Sequence, residues 1–181
     1  MCYRKVFGRY PILIVATFFL VGFYSEGVQA DEAPISAELA LFGVSGPDGR
    51  TTVKLNAQQL AAFPQHTYAL ETPWTNGITE FTGPLLRDVL EAFGGTNVED
   101  GELTLYALND YSVSMPLSDA FENLPILAMQ RDGIRMSIRD YGPYWLIYPW
   151  HREKRLRNDV YYARSVWMLK SISVSNGSNA Q

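Results

Sequence analysis

Three groups of residues in this chain have the types and spacing to do chemistry. Trp74, in Trp74-Thr75-Asn76-Gly77, falls on a loop where no core periodicity explains a large aromatic, which points to stacking against a ligand. The corner Asn109-Asp110-Tyr111 divides two strand patterns and offers an amide, a carboxylate and a phenol. Asn and Asp also bond their own backbone in turns, so a turn pair and a ligand contact both stand as readings. Gly142 to Trp150 carries Tyr144, Trp145, Tyr148 and Trp150 in pairs, so that some face a core and some a cleft or solvent. Beside that run, His151, Arg152, Glu153, Lys154, Arg155 and Arg157 make a locally basic segment, either a solvated loop or a face that steers an acidic partner.

Other chemistry is missing. The one cysteine is Cys2, inside a segment that reads as a cleavable secretory signal: Arg4, Lys5 and Arg9, an apolar run from Pro11 to Phe23, then Val28-Gln29-Ala30. The apolar run falls short of the ~20 residues that span a bilayer. Cleavage after Ala30 is expected, with residues 1–30 as signal and 31–181 as one exported, periplasmic domain. The mature chain then has no thiolate for a disulfide, a zinc site, an iron–sulfur cluster or nucleophilic catalysis. His66 and His151 are too few and too far apart for a His-rich metal site.

The signal holds three of the 15 basic residues and one of the 19 acids, which leaves 12 and 18 and a formal charge of −6. Such a balance disfavours nucleic acid and anionic membrane surfaces as partners.

The elements that must position these groups are short. Leu39 to Val44 and Thr51 to Leu55 read as a hairpin around Gly46-Pro47-Asp48-Gly49, and Asn56 as the cap of a helix over Ala57 to Phe63. His66 to Glu71 follows as a strand. Pro84 to Phe93 reads as a helix with Pro in its first turn, Leu85, Leu86, Val89, Leu90 and Phe93 on one face, and Gly94-Gly95 as the stop. Leu103 to Leu108, Ser112 to Leu117, Leu124 to Gln130 and Val166 to Val174 read as strands, with Ser118 capping a short helical turn. Strands broken by short helices, without regular alternation, predict an α+β fold.

Read in order, five segments carry a resemblance: Phe81-Thr82-Gly83-Pro84-Leu85-Leu86-Arg87-Asp88-Val89-Leu90; Asp110-Tyr111-Ser112-Val113-Ser114-Met115-Pro116-Leu117; Ile126-Leu127-Ala128 with Asp132-Gly133; Gly142-Pro143 to Pro149; and Arg164-Ser165-Val166 with Leu169, Ile172 and Val174. In this order and spacing, from Glu71 to Val174, they resemble the oxidoreductase molybdopterin-binding domain of the sulfite oxidase type. The resemblance implies a single mixed α+β domain that binds a pterin in a cleft. It also exposes departures. Enzymes of that family hold molybdenum through a cysteine thiolate near the start of the domain, and a soft, charged ligand is not replaced without changing coordination and redox behaviour. Where the family tends to carry an Arg in the late strand and a Lys after Arg-Ser-Val, this chain has Trp145 and Trp167. Two cations beside a phosphorylated cofactor have become aromatic surfaces, which favours a flat, uncharged ring.

The resemblance places Tyr111 at the position of an active-site tyrosine, with an edge-strand tyrosine whose hydroxyl meets water as the other reading, and it places Arg164-Ser165-Val166 near the cofactor's phosphate end. An amino-pyrimidinone edge would suit Asp110, which can accept two parallel N–H bonds. The expected site is therefore Trp74, Asn109, Asp110, Tyr111, Tyr144, Trp145, Arg164, Ser165 and Val166 around a pterin-like ligand, with no molybdenum. Small cysteine-free relatives imply an exported pterin-binding protein that acts on the periplasmic region of a membrane signalling protein, a cyclic di-GMP enzyme. The alternatives are a molybdenum-cofactor oxidoreductase with atypical ligation and a ligand-free interaction adaptor.

Overall fold

In a computed structural model of the chain, residues 37–44, 51–95 and 101–175 are described. The expected signal over residues 1–30 and the hairpin turn at Gly46-Pro47-Asp48-Gly49 lie outside them. All the described residues belong to one compact unit, 34–181. No helix among them is long and apolar enough to cross a membrane.

β1 (Leu39–Phe42) and β2 (Thr52–Leu55) pair antiparallel, with Leu39 opposite Leu55, as the alternating apolar residues require. Asn56 caps α1 (Ala57–Ala61) through a reciprocal box: its side chain accepts from the Gln59 N–H and the Gln59 side chain accepts from the Asn56 N–H, each at 2.9 Å. β3 (Gln65–Glu71) and β4 (Ile78–Pro84) then run antiparallel over seven residues without a break.

β4 corrects the expected helix start. Pro84 ends a strand, and α2 (Leu86–Ala92) begins after an extended Leu85. The Leu86 N–H is taken by the Pro125 carbonyl at 2.9 Å, which satisfies one of the unpaired N–H groups of the helix start without a side-chain cap. Its expected stripe is in place, with Leu86, Val89 and Leu90 buried, each worth about 1.5–3 kcal/mol of gross burial.

β5 (Glu102–Ala107) and β6 (Ser112–Pro116) flank the polar corner, and α3 (Ser118–Glu122) follows. Ser118 is the first residue of α3 rather than its cap; Leu117 takes that place and makes no side-chain bond. β7 (Ile126–Ala128), β8 (Gln130–Arg131), β9 (Ile134–Arg135), β10 (Trp145–Ile147), α4 (Asp159–Arg164) and β11 (Leu169–Ser175) complete the order.

The strands form a five-stranded mixed sheet, β2-β1-β11-β5-β6, a four-stranded antiparallel sheet, β3-β4-β8-β9, and the pair β10-β7. A bridge from Leu85 to Ile126 ties β7 to the end of β4. Gly83 permits this approach, because a Cβ there would overlap the Leu127 carbonyl. The architecture is α+β, as predicted. Its core runs through both sheets, with Leu39, Leu41, Phe81, Leu103, Leu105, Trp145 and Ile172 fully enclosed.

Candidate functional site

Five of the expected site residues come together. Trp74, Asn109, Tyr111, Ser165 and Val166 line one cavity of about 260 Å³, with Tyr162, Ala163 and Trp167. Three elements deliver them. The β3–β4 loop carries Trp74, braced by Thr72, whose hydroxyl accepts from the Trp74 N–H at 3.1 Å and lies 2.8 Å from the Thr75 hydroxyl. The β5–β6 corner carries Asn109 and Tyr111, and the end of α4 with the segment leading to β11 carries the rest.

Aromatic edges fix the wall. Trp74 meets Trp145 at 5.7 Å between centroids and Tyr162 at 6.2 Å, both close to T-shaped. Trp167 meets Tyr141 edge-on at 5.5 Å, and Tyr141 in turn lies 5.0 Å from Trp145. Edge-to-face contacts of this kind add about 0.5–1.5 kcal/mol each beyond burial, so both cavity tryptophans are anchored through their neighbours. Polar groups are few. Tyr111 donates to the Ala163 carbonyl at 3.0 Å, which ties the corner to α4. Asn109 accepts from the Tyr111 N–H at 3.3 Å through Oδ1, and its Nδ2 has no partner among the described residues. The Ser165 hydroxyl donates to the Tyr161 carbonyl at 2.8 Å.

Four expected residues stand elsewhere. Asp110 has φ 66°, the left-handed conformation of a turn, and its side chain is 93% exposed with Lys170 3.5 Å away, so it does not line the cavity. Of its two sequence readings, the turn is the one seen. Trp145 is enclosed because β10 lies inside the fold and buries all three of its residues, and Tyr144, just before the strand, is buried as well. Tyr144 donates to the Ala37 carbonyl at 2.6 Å, and burial pushes its phenol up to about 12. Trp145 donates to the Ser165 carbonyl at 3.1 Å and supports the cavity from behind. Arg164 is committed to Asp119, at 2.6 Å, with only 19% of its side chain exposed. The same carboxylate accepts from Tyr148 at 3.2 Å and from Asn123 at 2.7 Å. Burial first, and the Asp119 charge second, push the Tyr148 phenol far up, which keeps it a donor.

Tyr162, Ala163 and Trp167 line the cavity beyond the expected residues; Trp167 carried a sequence signal as an aromatic in place of a cation, and Tyr162 and Ala163 were missed. The signal for those two was Asn158, which caps α4 by accepting from the Val160 and Tyr161 N–H groups. Two further hollows border this one. Trp74 also lines a cavity of about 310 Å³ with Thr75, Asn76, Thr79, Arg131 and Asp132. Tyr162 also lines one of about 440 Å³ with Trp150, His151, Arg157 and the end of β3.

Residues 35–180 match the family model described as the oxidoreductase molybdopterin binding domain. The fold is similar to that of the sulfane dehydrogenase SoxCD from Paracoccus pantotrophus, with a TM-score of 0.53, 13% identity, and 79% of this chain and 39% of that chain covered. At that identity the likeness is one of fold. This chain spans well under half the length of the other. No curated protein sequence matches.

Among the described residues no cysteine is present, so none of them supplies a thiolate that would hold molybdenum. Cys2 is the one cysteine in the sequence and lies outside the described residues, and no group of three or more His, Cys, Asp or Glu among the described residues is arranged to hold a metal. The aromatic cavity, by contrast, offers faces and edges for an organic ring. The model match covers every strand from Leu39 to Ser175, and the chain belongs to the oxidoreductase molybdopterin binding domain family.

Proposed function

We propose that this domain is an exported receptor that holds a flat, pterin-like ring between Trp74, Tyr111, Tyr162 and Trp167, and that it acts by binding rather than by turnover. The observation that carries the reading is the cavity itself: four aromatic side chains and a neutral amide surround about 260 Å³, and no carboxylate or cation lines it. Ligand pockets usually run from about 300 Å³ upward, so this one suits a single fused ring better than a phosphorylated, metal-bearing cofactor. Trp74 and Trp167 supply stacking surface, and the Asn109 amide supplies direction. Arg164, held by Asp119, is not available to an anionic tail at this cavity.

The ring-loaded form then contacts the periplasmic region of a membrane signalling protein, a cyclic di-GMP enzyme by the family resemblance. The basic segment from His151 to Arg157 is the side of the molecule that suits an acidic partner.

Protein isolated from its own periplasm tests the reading. Its N-terminus should be Asp31, mass spectrometry of the denatured sample should show a released pterin, and elemental analysis should show no molybdenum. Near-stoichiometric molybdenum, or a titration in which reduced pterin fails to bind, would overturn it.

A further inference from the structure

β3 is an edge strand. Among the described residues it pairs with β4 on one side and with nothing on the other. Which of its backbone groups face outward follows from β4. The carbonyls of Glu80 and Thr82 turn away from β3, to the N–H groups of Asp132 and Met129, each at 2.8 Å. Their partners on β3, Ala69 and Thr67, are therefore in non-hydrogen-bonded pairs and send both N–H and C=O to the open edge. Glu71 shares that phase, and its carbonyl is taken by the Trp150 indole at 2.8 Å, which marks where the free run stops.

Edges of this kind are normally blunted by a proline, a lysine, a bulge or a cover. β3 has none of the first three: its sequence is Gln-His-Thr-Tyr-Ala-Leu-Glu and its register is unbroken. The edge opens instead on a cavity of about 440 Å³, whose walls include Ala69, Glu71, Trp150, Arg157 and Tyr162, with the 73%-exposed Ile78 at its rim.

The flanking charge is cationic. Arg152 lies 5.4 Å from the Tyr68 ring centre, and its Nε donates to His151 at 3.1 Å. Arg157 donates through Nε to the Trp150 carbonyl at 2.8 Å. Neither arginine has a carboxylate within ion-pair distance among the described residues, whereas Arg155 is paired with Glu153 at 2.7 Å. Glu71 and Glu80 occupy the outer face of the sheet.

We infer that the free edge of β3 binds an extended, acidic segment of a partner protein by strand addition, with the outward groups of Thr67 and Ala69 and the Glu71 N–H pairing its backbone and Arg152 and Arg157 meeting its carboxylates. Backbone pairing supplies affinity in this mode, and side-chain pockets and charges supply selectivity. The inference rests on the protein-contact half of the proposed function and needs nothing from the ring cavity.

The test uses a capped peptide of alternating glutamate and valine, as long as β3, and its lysine-for-glutamate counterpart. Both are titrated by fluorescence anisotropy, with amide exchange read residue by residue. The acidic peptide should bind and slow exchange at Thr67, Ala69 and Glu71, while His66, Tyr68 and Leu70, already paired with β4, change little. Arg152→Glu with Arg157→Glu should weaken it by about tenfold or more at low salt, and Ala69→Pro, which removes an outward N–H and no ladder bond, should abolish the protection. Reduced-pterin affinity is measured on the same variants. Retained ring binding separates a failed edge from a misfolded protein, and a failed ring titration leaves the peptide result standing. Equal binding of the lysine peptide, or protection outside β3, would overturn the inference. So would protection that grows with protein concentration alone, which would give the edge to a second copy of this chain.

Discussion

Arg164 and Asp119 form an ion pair beside the cavity, 2.6 Å apart, and neither lines it. Tyr148 and Asn123 complete the carboxylate's partners, so losing the arginine leaves a charge among groups that cannot replace it. Removal of one member of a buried pair costs about 3–5 kcal/mol. Arg164→Ala should lower the urea midpoint accordingly, while the folded fraction keeps its affinity for the ring. A variant as stable as the parent would show the pair to be dispensable.

Within the cavity, Trp74→Ala should weaken ring binding by more than the ~0.5–1.5 kcal/mol of an aromatic contact, because burial is lost as well. Asn109→Ala should cost about 1 kcal/mol for a neutral hydrogen bond. Asp110→Asn should leave affinity unchanged, since that side chain points to solvent and Lys170. This reverses the sequence expectation for Asp110, and calorimetric titration of the three variants decides it.

Tyr144 predicts a response to alkali. Its phenol is raised from 10.0 to about 12, chiefly by burial, so the folded state holds the proton more tightly than the unfolded chain. The stability it contributes is complete below pH 10 and is lost as pH rises from 10 through about 12. Tyr144→Phe should be less stable at neutral pH by about 1 kcal/mol, from the bond to Ala37, and should lose less on going to high pH. Tyr68 and Tyr148 shift in the same direction, so the alkaline slope should shrink without vanishing. Denaturant melts at a series of pH values measure both effects.

Gly83→Ala should destabilise by about 1–3 kcal/mol, because the new methyl drives β4 from the Leu127 carbonyl. Gly77, with open space around its Cβ position but φ 67°, should respond through backbone strain alone. Thermal melts of the two alanine variants distinguish the causes.

What the sequence disclosed depended on whether a signal was local. The Asn56 cap, the α2 stripe and the strands on either side of the Asn109 corner rest on neighbours a few residues apart, and each is found. β4 was hidden because Pro84, lacking an N–H, fits the end of a strand as well as the first turn of a helix, and its pairing with β3 decides which. β9 is two residues long and has no period to read. At the site, Trp74 was visible as an aromatic without a core position. The choice between Asn109 and Asp110 turned on one positive φ, and the burial of Trp145 on β10 lying inside the fold, neither of which is written in spacing.

Tyr162 stands in the walls of both the ring cavity and the cavity beside β3. One side chain cannot adopt two positions at once, so an occupant of either cavity that selects a rotamer of Tyr162 selects it for the other. The thermodynamic consequence is reciprocal: whatever factor the ring adds to the affinity of the β3 edge, an occupied edge returns to the ring. If the two cavities are coupled through this side chain, Tyr162→Phe should keep the coupling and Tyr162→Ala should remove it, which paired titrations of ring and peptide would measure.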